Sequence, residues 1–285
     1  MADMAAPSFD RFGAIPPASP VVVSVPHAGR DYPLPLRAAA AVPIESMLAL
    51  EDRHADTLAL AARGGETLFI QRRARAWIDL NRAEDERDPL IDDGARPIPA
   101  GAAAVKLRSG LGLVPRRAAP GVTLWRRRMG DDEVRQRIAE DHRPYHAALA
   151  EALTAARDRF GAALLIDLHS MPPLPGPLSA QVVLGDRFGR SAGARLVHRL
   201  EGEVAAAGLT AALNAPYPGG HILNRHGRPA SGIHAIQVEI DRCLYLDAGL
   251  GEPGKGLATA AALLRRMIDA ATDELLGSEY ALAAE

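Results

Sequence analysis

The sequence predicts an α/β fold in which a mostly parallel, mixed sheet is covered by helices on both faces. Short runs of β-branched and other apolar residues alternate with longer segments whose apolar residues recur at helical spacing. This alternation is typical of strands joined by helical crossovers. Four apolar runs also end in polar residues. Because the carboxyl ends of parallel strands face one crevice, we expect those polar residues to converge there.

The amino-terminal part of the chain begins without a clear element. Residues 1–20 carry four prolines among small residues, which predicts a tail or a strap across the surface. Residues 21–25 form a β-branched, buried-strand pattern that a proline ends. Residues 44–63 have apolar residues at helical spacing and stop at a glycine pair, a usual helix end. We expect a single domain over residues 21–285.

The remainder of the chain continues the alternation. Strands are predicted at residues 67–71, 76–80, 164–168, 181–184 and 235–240, and helices at residues 131–160, 191–207 and 256–276. Residues 83–130 instead lack periodicity and are rich in proline and glycine. An irregular region of that length tends to be a lid or a binding loop.

Composition restricts the partners that the chain can have. The formal net charge of −2 gives no field that would attract nucleic acid or an anionic membrane, so we expect a small-molecule partner. Cys243 is the only cysteine, which excludes an intrachain disulfide and fits a reducing compartment. No apolar run reaches the ~18 residues of a spanning helix. We expect a soluble, cytoplasmic protein, either a monomer or a small homo-oligomer.

Two histidines stand where a metal ion could bind. His27 follows the first predicted strand and precedes a small turn, and His169 follows another strand, two residues after Asp167. A lone histidine after a strand is more often structural, but a second one in the same context favours ligation. Catalytic zinc sites usually take three protein ligands from histidine and carboxylate side chains and keep a fourth position for water. A carboxylate ligand is therefore still required.

The segment EDRHAD, residues 51–56, is the best source of that carboxylate. It lies in the middle of the first predicted helix, where Asp52 and Asp56 would share a face. Asp52 is preferred, and Asp56 and Glu51 remain alternatives. The other interpretation is a solvated helix surface, which runs of charged residues usually form.

A carboxylate inside an apolar strand is the most informative single residue. Glu239 lies in the run AIQVEI, and burying its charge without a partner would be costly. Gln237 and Glu239 would point to the same face by the two-residue repeat of a strand. The plain alternative is a glutamate at a strand edge, exposed to water. A nearby metal site would supply the partner that a buried glutamate needs.

Further polar residues are candidates for substrate contacts. Asn81 and Arg82 close another predicted strand, and arginine binds carboxylates in a bidentate manner, which suits an acidic substrate. His142 and His146 are four residues apart on a helix, and we interpret them as surface histidines or substrate contacts rather than ligands. Tyr217 lies in a flexible turn that fits either a plain loop or one that faces the substrate.

Taken in order, these segments resemble the N-formylglutamate amidohydrolases. The motifs that carry the resemblance are VPHAGRDYP from Val25, EDRHAD from Glu51, DLNR from Asp79, RPYH from Arg143, DLHS from Asp167, PYPGG from Pro216 and VEIDR from Val238. DLNR, the histidine of DLHS and the glutamate of VEID are also similar to motifs of aspartoacylases and zinc carboxypeptidases. Each motif is weak alone, but the combination is specific and covers most of the chain.

The resemblance implies a phosphorylase/hydrolase-like, three-layer fold, with residues 21–285 as the catalytic domain and one zinc ion per chain. It implies hydrolysis of the formamide bond of N-formyl-L-glutamate, or a similar N-acyl acidic amino acid, and a place in histidine degradation. The residues that it implies are the zinc ligands His27 and His169, the general acid/base Glu239, the substrate-carboxylate pair Asn81 and Arg82, and the supporting aspartate Asp79. We further predict Tyr217 and His146 as substrate contacts and Asp167 as a second supporting aspartate.

One position departs from the related families. Carboxypeptidases and aspartoacylases have a glutamate three residues after the first histidine, whereas this chain has Arg30. The carboxylate ligand must therefore come from elsewhere, and Asp52, Asp56 and Glu51 all stay open, with Asp52 preferred. Two other functions stay open: a zinc amidase or carboxypeptidase that removes a different group, and a metal-free binding protein that has lost activity.

Overall fold

A computed structural model of the chain describes residues 7–97, 104–119, 121–176 and 179–282. Its strands are β1 (Phe9–Phe12), β2 (Val21–Val25), β3 (Thr67–Gln71), β4 (Arg117–Ala119), β5 (Val122–Thr123), β6 (Ala163–Met171), β7 (Val182–Gly185), β8 (Ala211–Leu213) and β9 (Ile233–Asp241). Its α-helices are α1 (Leu34–Ala39), α2 (Ala55–Ala62), α3 (Ala104–Arg108), α4 (Asp131–Arg137), α5 (Arg143–Phe160), α6 (Ala194–Ala206), α7 (His221–His226) and α8 (Leu257–Leu282).

A seven-stranded sheet forms the centre of the fold, in the order β1-β3-β2-β6-β9-β7-β8. Strands β3, β2, β6 and β9 are parallel to one another, and β7 is antiparallel to β9 and parallel to β8. Every residue of β2, β3, β6 and β7 is buried, as expected for strands covered on both faces. The predicted α/β fold with a mostly parallel, mixed sheet is confirmed.

The chain forms two compact units, each assembled from segments that are far apart in sequence. One unit comprises residues 26–51, residues 71–147 and a short amino-terminal segment. Its interior holds Arg137, whose guanidinium lies 3.8 Å from the ring centre of Trp77 and 5.5 Å from that of Trp125. Arg137 donates to the Trp77 carbonyl and to Glu133, and burial lowers its pKa to about 10. The core of this unit therefore contains a buried guanidinium that stacks on tryptophan.

The other unit comprises residues 11–25, 52–70 and the chain from residue 148 onward. It contains most of the sheet. Helices α2 and α8 pack on each other and on β2, and α6 packs on α8 and on β7. Strands β2 and β7 are therefore covered by helices whose positions along the chain match the predicted helices.

The predicted helix at residues 44–63 is interrupted in its middle. A 3₁₀ helix covers Ile44–Leu50, and α2 begins only at Ala55. Between them Glu51 is extended, with ψ of 141°, and His54 is left-handed, with φ of +57°. The prediction of one continuous helix was therefore wrong, and so was the prediction that Asp52 and Asp56 share a helical face. The carboxylates of Glu51 and Asp52 are buried against other groups, and those contacts replace a helical turn.

The predicted strand at residues 76–80 is also wrong, because this segment consists of turns. Trp77 donates its main-chain N–H to Ala74, and Arg82 donates to Asp79, over short sequence distances. The segment is apolar because Ile78 and Leu80 are buried within the first unit, not because it belongs to the sheet.

Most other predicted elements are confirmed within a few residues. The helix at residues 131–160 exists as α4 and α5, joined by a π-helical turn at Ile138–His142 just before Pro144. Part of the predicted tail forms the edge strand β1. The irregular region at residues 83–130 contains α3, β4 and β5, and its residues 98–103 and 120 lie outside the described residues. In the part of the chain that the structure covers, helices that combine the length and the apolar character needed to span a bilayer are absent.

Candidate metal centre

The carboxyl ends of β6 and β9 bring three predicted site residues together with Gln237. His169 is the register partner of Glu239, and Asp167 is that of Gln237. Residues paired in register, and residues two apart on one strand, point to the same face of a sheet. These four side chains therefore share one face at this end of the sheet. Ser24 of β2 pairs with Asp167 and extends the same row.

The imidazole of His169 lies between two carboxylates. Its Nδ1 is 2.9 Å from Oδ2 of Asp52, and its Nε2 is 2.9 Å from Oδ2 of Asp167. The other oxygen of Asp167 accepts a hydrogen bond from the Ser24 hydroxyl at 2.9 Å. All of these groups are buried. Asp167 is thus placed to orient the ring, whereas Asp52 meets the nitrogen on its opposite edge.

The electrostatics of this cluster favour positive charge. Burial alone would lower the pKa of His169, but the charge and hydrogen bond of Asp167, the hydrogen bond to Asp52 and the charge of Glu239 raise it well above its ordinary value. Three carboxylates around one buried imidazole therefore create a need for a cation. A metal ion satisfies the same need, since metal-bound histidine typically has its second ring nitrogen on a carboxylate.

The other two carboxylates of EDRHAD have different surroundings. Glu51 is buried and accepts a hydrogen bond from the Tyr32 hydroxyl. Asp56 lies in the first turn of α2 and is only partly buried. Of the three alternatives that the sequence left open, Asp52 is the one whose carboxylate meets His169.

Glu239 is buried, as its position inside an apolar strand predicted. Gln237 donates a hydrogen bond from Nε2 to Oε1 of Glu239 at 2.9 Å, which confirms that the two side chains share a face. Burial raises the pKa of Tyr217, and the charge of Glu239 adds to this effect, so the phenol lies within the field of that carboxylate.

The turn that carries Tyr217 passes close to β7. A Cβ added to Gly185 would lie 2.6 Å from the Tyr217 carbonyl. Glycine is therefore needed where the Tyr217 turn crosses β7.

Arg242 belongs to this cluster, although no role is predicted for it from the sequence. Its Nε donates to the Ser170 hydroxyl at 3.1 Å, and its Nη2 lies 3.4 Å from Oδ1 of Asp52. The available signal was the motif VEIDR, where Arg242 follows Glu239 by three residues. The next residue, Cys243, is exposed.

In the first unit, His27 is held by Asp79. Nε2 of His27 lies 2.7 Å from Oδ1 of Asp79, and the same oxygen accepts the Asn81 main-chain N–H at 2.8 Å. Oδ2 of Asp79 accepts from Nε of Arg75 at 2.8 Å. Burial opposes ionisation of Asp79, but the charges of Arg75, His27 and Arg82 keep its pKa well below the ordinary value. Asp79 is therefore an ionised, buried carboxylate behind His27.

The turn after His27 depends on a glycine. His27 follows the last residue of β2 by two positions. A Cβ added to Gly29 would lie only 2.1 Å from the carbonyl oxygen of Arg73, so the two main chains approach too closely for any other residue. This contact fixes the path of the chain just beyond the histidine.

The predicted substrate residues Arg82 and His146 are both buried. Nε of Arg82 donates to the Leu111 carbonyl at 2.8 Å. Nε2 of His142 lies 2.8 Å from the Arg82 carbonyl, and Nε2 of His146 lies 3.0 Å from the Leu80 carbonyl. The interpretation of these histidines as surface residues was wrong, because both imidazoles hold the main chain that presents Asn81 and Arg82.

Each unit offers ligand atoms that could hold a metal ion. His27 offers an imidazole nitrogen in the first unit, and Asp52 and His169 offer a carboxylate oxygen and an imidazole nitrogen 2.9 Å apart in the second. In both histidines Nε2 meets an aspartate, so Nδ1 is the nitrogen on the opposite edge of the ring. Two imidazoles and one carboxylate are a usual ligand set for zinc. The fold and the buried Asp52–His169 pair define an α/β protein with a histidine–carboxylate site that could bind a divalent metal.

Comparison with known proteins identifies the family. The profile of the N-formylglutamate amidohydrolases matches residues 19–246. N-formylglutamate deformylases from Pseudomonas aeruginosa and Pseudomonas putida are 33% identical over 236 residues and 34% identical over 241 residues, and each alignment covers 80% of this chain and 82% of the relative. An N-formylglutamate amidohydrolase crystal structure from Ralstonia eutropha JMP134 has a TM-score of 0.83 at 35% identity, covering 98% of this chain and 100% of that chain. The chain belongs to the N-formylglutamate amidohydrolase family.

Proposed function

We propose that this protein is a zinc-dependent amidohydrolase that converts N-formyl-L-glutamate and water into glutamate and formate. The observation that carries the proposal is the contact of Asp52 with His169 beside its register partner Glu239. Membership of the family and the names of the Pseudomonas relatives support the substrate. A cytoplasmic location and a role in histidine degradation are part of the same proposal.

His27, Asp52 and His169 would hold one zinc ion per chain. When bound, the ion would supply a Lewis acid and hydroxide close to neutral pH. Asp79 and Asp167 would keep the two imidazoles oriented through their far nitrogens, a support that metal-ligating histidines usually have.

Glu239 would act as the general acid/base. It would take a proton from the attacking water as the C–O bond to the formyl carbon forms, and return it to the amide nitrogen as the C–N bond breaks. An amide has a poor leaving group, so protonation of the nitrogen is required. The buried position of Glu239 and its hydrogen bond from Gln237 would fix the carboxylate for both transfers.

Asn81 and Arg82 would anchor a carboxylate of the substrate, with Tyr217 and His146 as further contacts. The anchored main chain of the DLNR segment supports this assignment, because His142, His146 and Asp79 all hydrogen-bond to it. A guanidinium held in this way loses little freedom when it binds a carboxylate.

Two measurements test the proposal: zinc content after purification in metal-free buffers, and turnover of N-formyl-L-glutamate against a panel of acyl groups. We expect about one zinc per chain and the highest kcat/KM for N-formylglutamate. Higher kcat/KM for the N-acetyl or N-succinyl compounds would favour a different amidase. Absence of both zinc and turnover would favour a binding protein.

A further inference from the structure

Arg75 lies next to the candidate metal centre, where its guanidinium contacts Asp79. The sequence motifs assigned no role to this arginine. We propose that Arg75 is a positioning residue that neutralises the buried carboxylate of Asp79, which holds His27 for the metal ion and leaves Arg82 for a substrate carboxylate. This inference rests on the proposed function and deepens it. Arg75 would touch neither metal nor substrate and would act through its contact with Asp79.

The two oxygens of Asp79 have separate partners. Oδ1 meets Nε2 of His27 at 2.7 Å and the Asn81 main-chain N–H at 2.8 Å. Oδ2 accepts from Nε of Arg75 at 2.8 Å, where the arginine side chain is 19% exposed and the aspartate is fully buried. A buried carboxylate needs a partner of opposite charge, because desolvation is otherwise expensive. Arg75 fills that need on the side of Asp79 that faces away from the histidine.

Arg82 is the second guanidinium beside Asp79, but it is farther away. Its Nε lies 3.9 Å from Oδ2 of Asp79 and donates instead to the Leu111 carbonyl. Among the described residues, one carboxylate therefore lies beside two guanidinium groups, and Arg75 makes the shorter contact with it. Arg75 thus neutralises most of the charge of Asp79, which leaves the charge of Arg82 only partly matched by this carboxylate. Without Arg75, Asp79 would draw Arg82 toward itself and lose the geometry that orients His27.

Zinc affinity tests the first consequence independently of turnover. The dissociation constant is measured by competition with a chromophoric chelator after the protein has been stripped of metal. We expect Arg75→Met to raise it about 10-fold, the lower end of what loss of a supporting contact costs a metal site. Arg75→Gln keeps a donor without charge and should behave like Arg75→Met, whereas Arg75→Lys should stay within about threefold of wild type because the charge remains.

A double substitution separates this role from a general structural one. Because Arg75 acts through Asp79, Arg75→Met should add nothing to the affinity loss of Asp79→Asn. Arg72→Met is the matched control, since Arg72 is in the same segment and forms an exposed ion pair with Asp10. Equal zinc affinity of wild type and both uncharged variants would overturn the inference while leaving the proposed function intact. A wild-type protein that binds no zinc would overturn both.

The second consequence concerns substrate binding. Arg75→Met should raise KM for N-formylglutamate at saturating zinc, and by a smaller factor for its diamide, which lacks the carboxylates that Arg82 would bind. Arg75→Lys should restore the wild-type difference between the two substrates. An equal rise for both substrates would contradict the link from Arg75 to Arg82.

Discussion

At the scale of single residues, the site contains four carboxylates that differ in their hydrogen-bond partners. Asp79 and Asp167 each bind the far nitrogen of a histidine, Asp52 meets His169 on its other edge, and Glu239 accepts from a neutral amide. The first two are suited to orient the rings and the third to bind metal.

Glu239→Gln tests the proton-transfer role. The amide keeps the shape of the side chain but cannot accept a proton, so we expect kcat to fall at least ~10²-fold. Zinc content should stay at the wild-type value. Glu203→Gln on α6 is the control, and it should leave kcat unchanged. Turnover equal to wild type would remove Glu239 from the mechanism.

Asp52→Asn tests the carboxylate ligand, with Asp56→Asn as its partner variant four residues away. We expect Asp52→Asn to purify with little zinc, because an amide oxygen is a much weaker ligand than a carboxylate. Asp56→Asn should retain the metal. Metal analysis of both proteins decides the assignment, and full zinc occupancy in Asp52→Asn would show that the ligand is another residue.

The sequence predicted this site unevenly. Glu239 and His169 could be foreseen, because strand periodicity fixes both the face and the end of the sheet that they occupy. Asp52 was chosen for its residue type but placed in a helix that does not exist there. Its position depends on a buried contact with a residue 117 positions away, which local spacing does not encode. Arg75 and Arg242 were passed over because arginine is abundant in this chain.

At the scale of elements, two contacts link segments that are far apart in the chain. One fixes the turn after β2, and the other connects α8 to the residue before β3. Gly29 permits the approach to Arg73. Arg265 of α8 binds both carboxylate oxygens of Glu66, the residue just before β3, at 2.7 and 2.8 Å. Each contact joins segments far apart in sequence, so each should show in measurements of the free energy of unfolding.

Gly29→Ala should destabilise the protein, because the added methyl group would overlap the Arg73 carbonyl. Inserting a methyl group where there is no room costs about 1–3 kcal/mol. Gly65→Ala is the control, since an added Cβ there meets nothing within 4 Å. Urea unfolding of the two variants provides the comparison. Equal free energies of unfolding would mean that the turn shifts at little cost.

Glu66→Gln should change the pH dependence of stability. Burial would raise the pKa of Glu66, but the hydrogen bonds from Arg265 and from main-chain N–H groups lower it below its ordinary value of 4.5. A lowered pKa means that the carboxylate stabilises the fold above about pH 4.5 and loses this effect as the pH falls through the folded-state value.

We therefore expect Glu66→Gln to lose about 1–3 kcal/mol at pH 7, the usual cost of removing a hydrogen bond to a charged group. The difference from wild type should narrow below pH 4.5. Asp269→Asn removes an exposed partner of the same arginine and should change stability by less than about 0.5 kcal/mol. A difference that is constant from pH 7 to pH 3 would contradict the assignment.

At the scale of the whole molecule, the α/β class could be predicted and the division into two units could not. Alternating strand and helix patterns predict a mostly parallel sheet with helical crossovers, although not the order of its strands. The units are assembled from separated segments whose boundaries lie at residues 10/11, 25/26, 51/52, 70/71 and 147/148. Flexible linkers, which usually mark boundaries in a sequence, do not occur at these positions in the described residues. The chain passes from one unit to the other within or directly beside regular elements.

Metal removal should lower the stability of the whole molecule. A ligand present at 100 times its dissociation constant stabilises a folded protein by about 2.7 kcal/mol. For a chain of this size we expect Tm to fall by roughly 5–10 °C after chelation and to recover with zinc. Magnesium prefers oxygen ligands and should not restore Tm. Recovery with magnesium, or no response to zinc, would contradict a histidine-based metal site.

The lone exposed thiol offers a practical way to observe that site. Cys243 directly follows Arg242, whose guanidinium lies near Asp52. Partial burial and the neighbouring Asp241 raise the pKa of the thiol, so conjugation calls for mildly alkaline solution. One fluorophore would then attach per molecule, at a known place, without any engineered substitution. The fluorescence of this label could then report binding of the metal ion at the nearby site in real time.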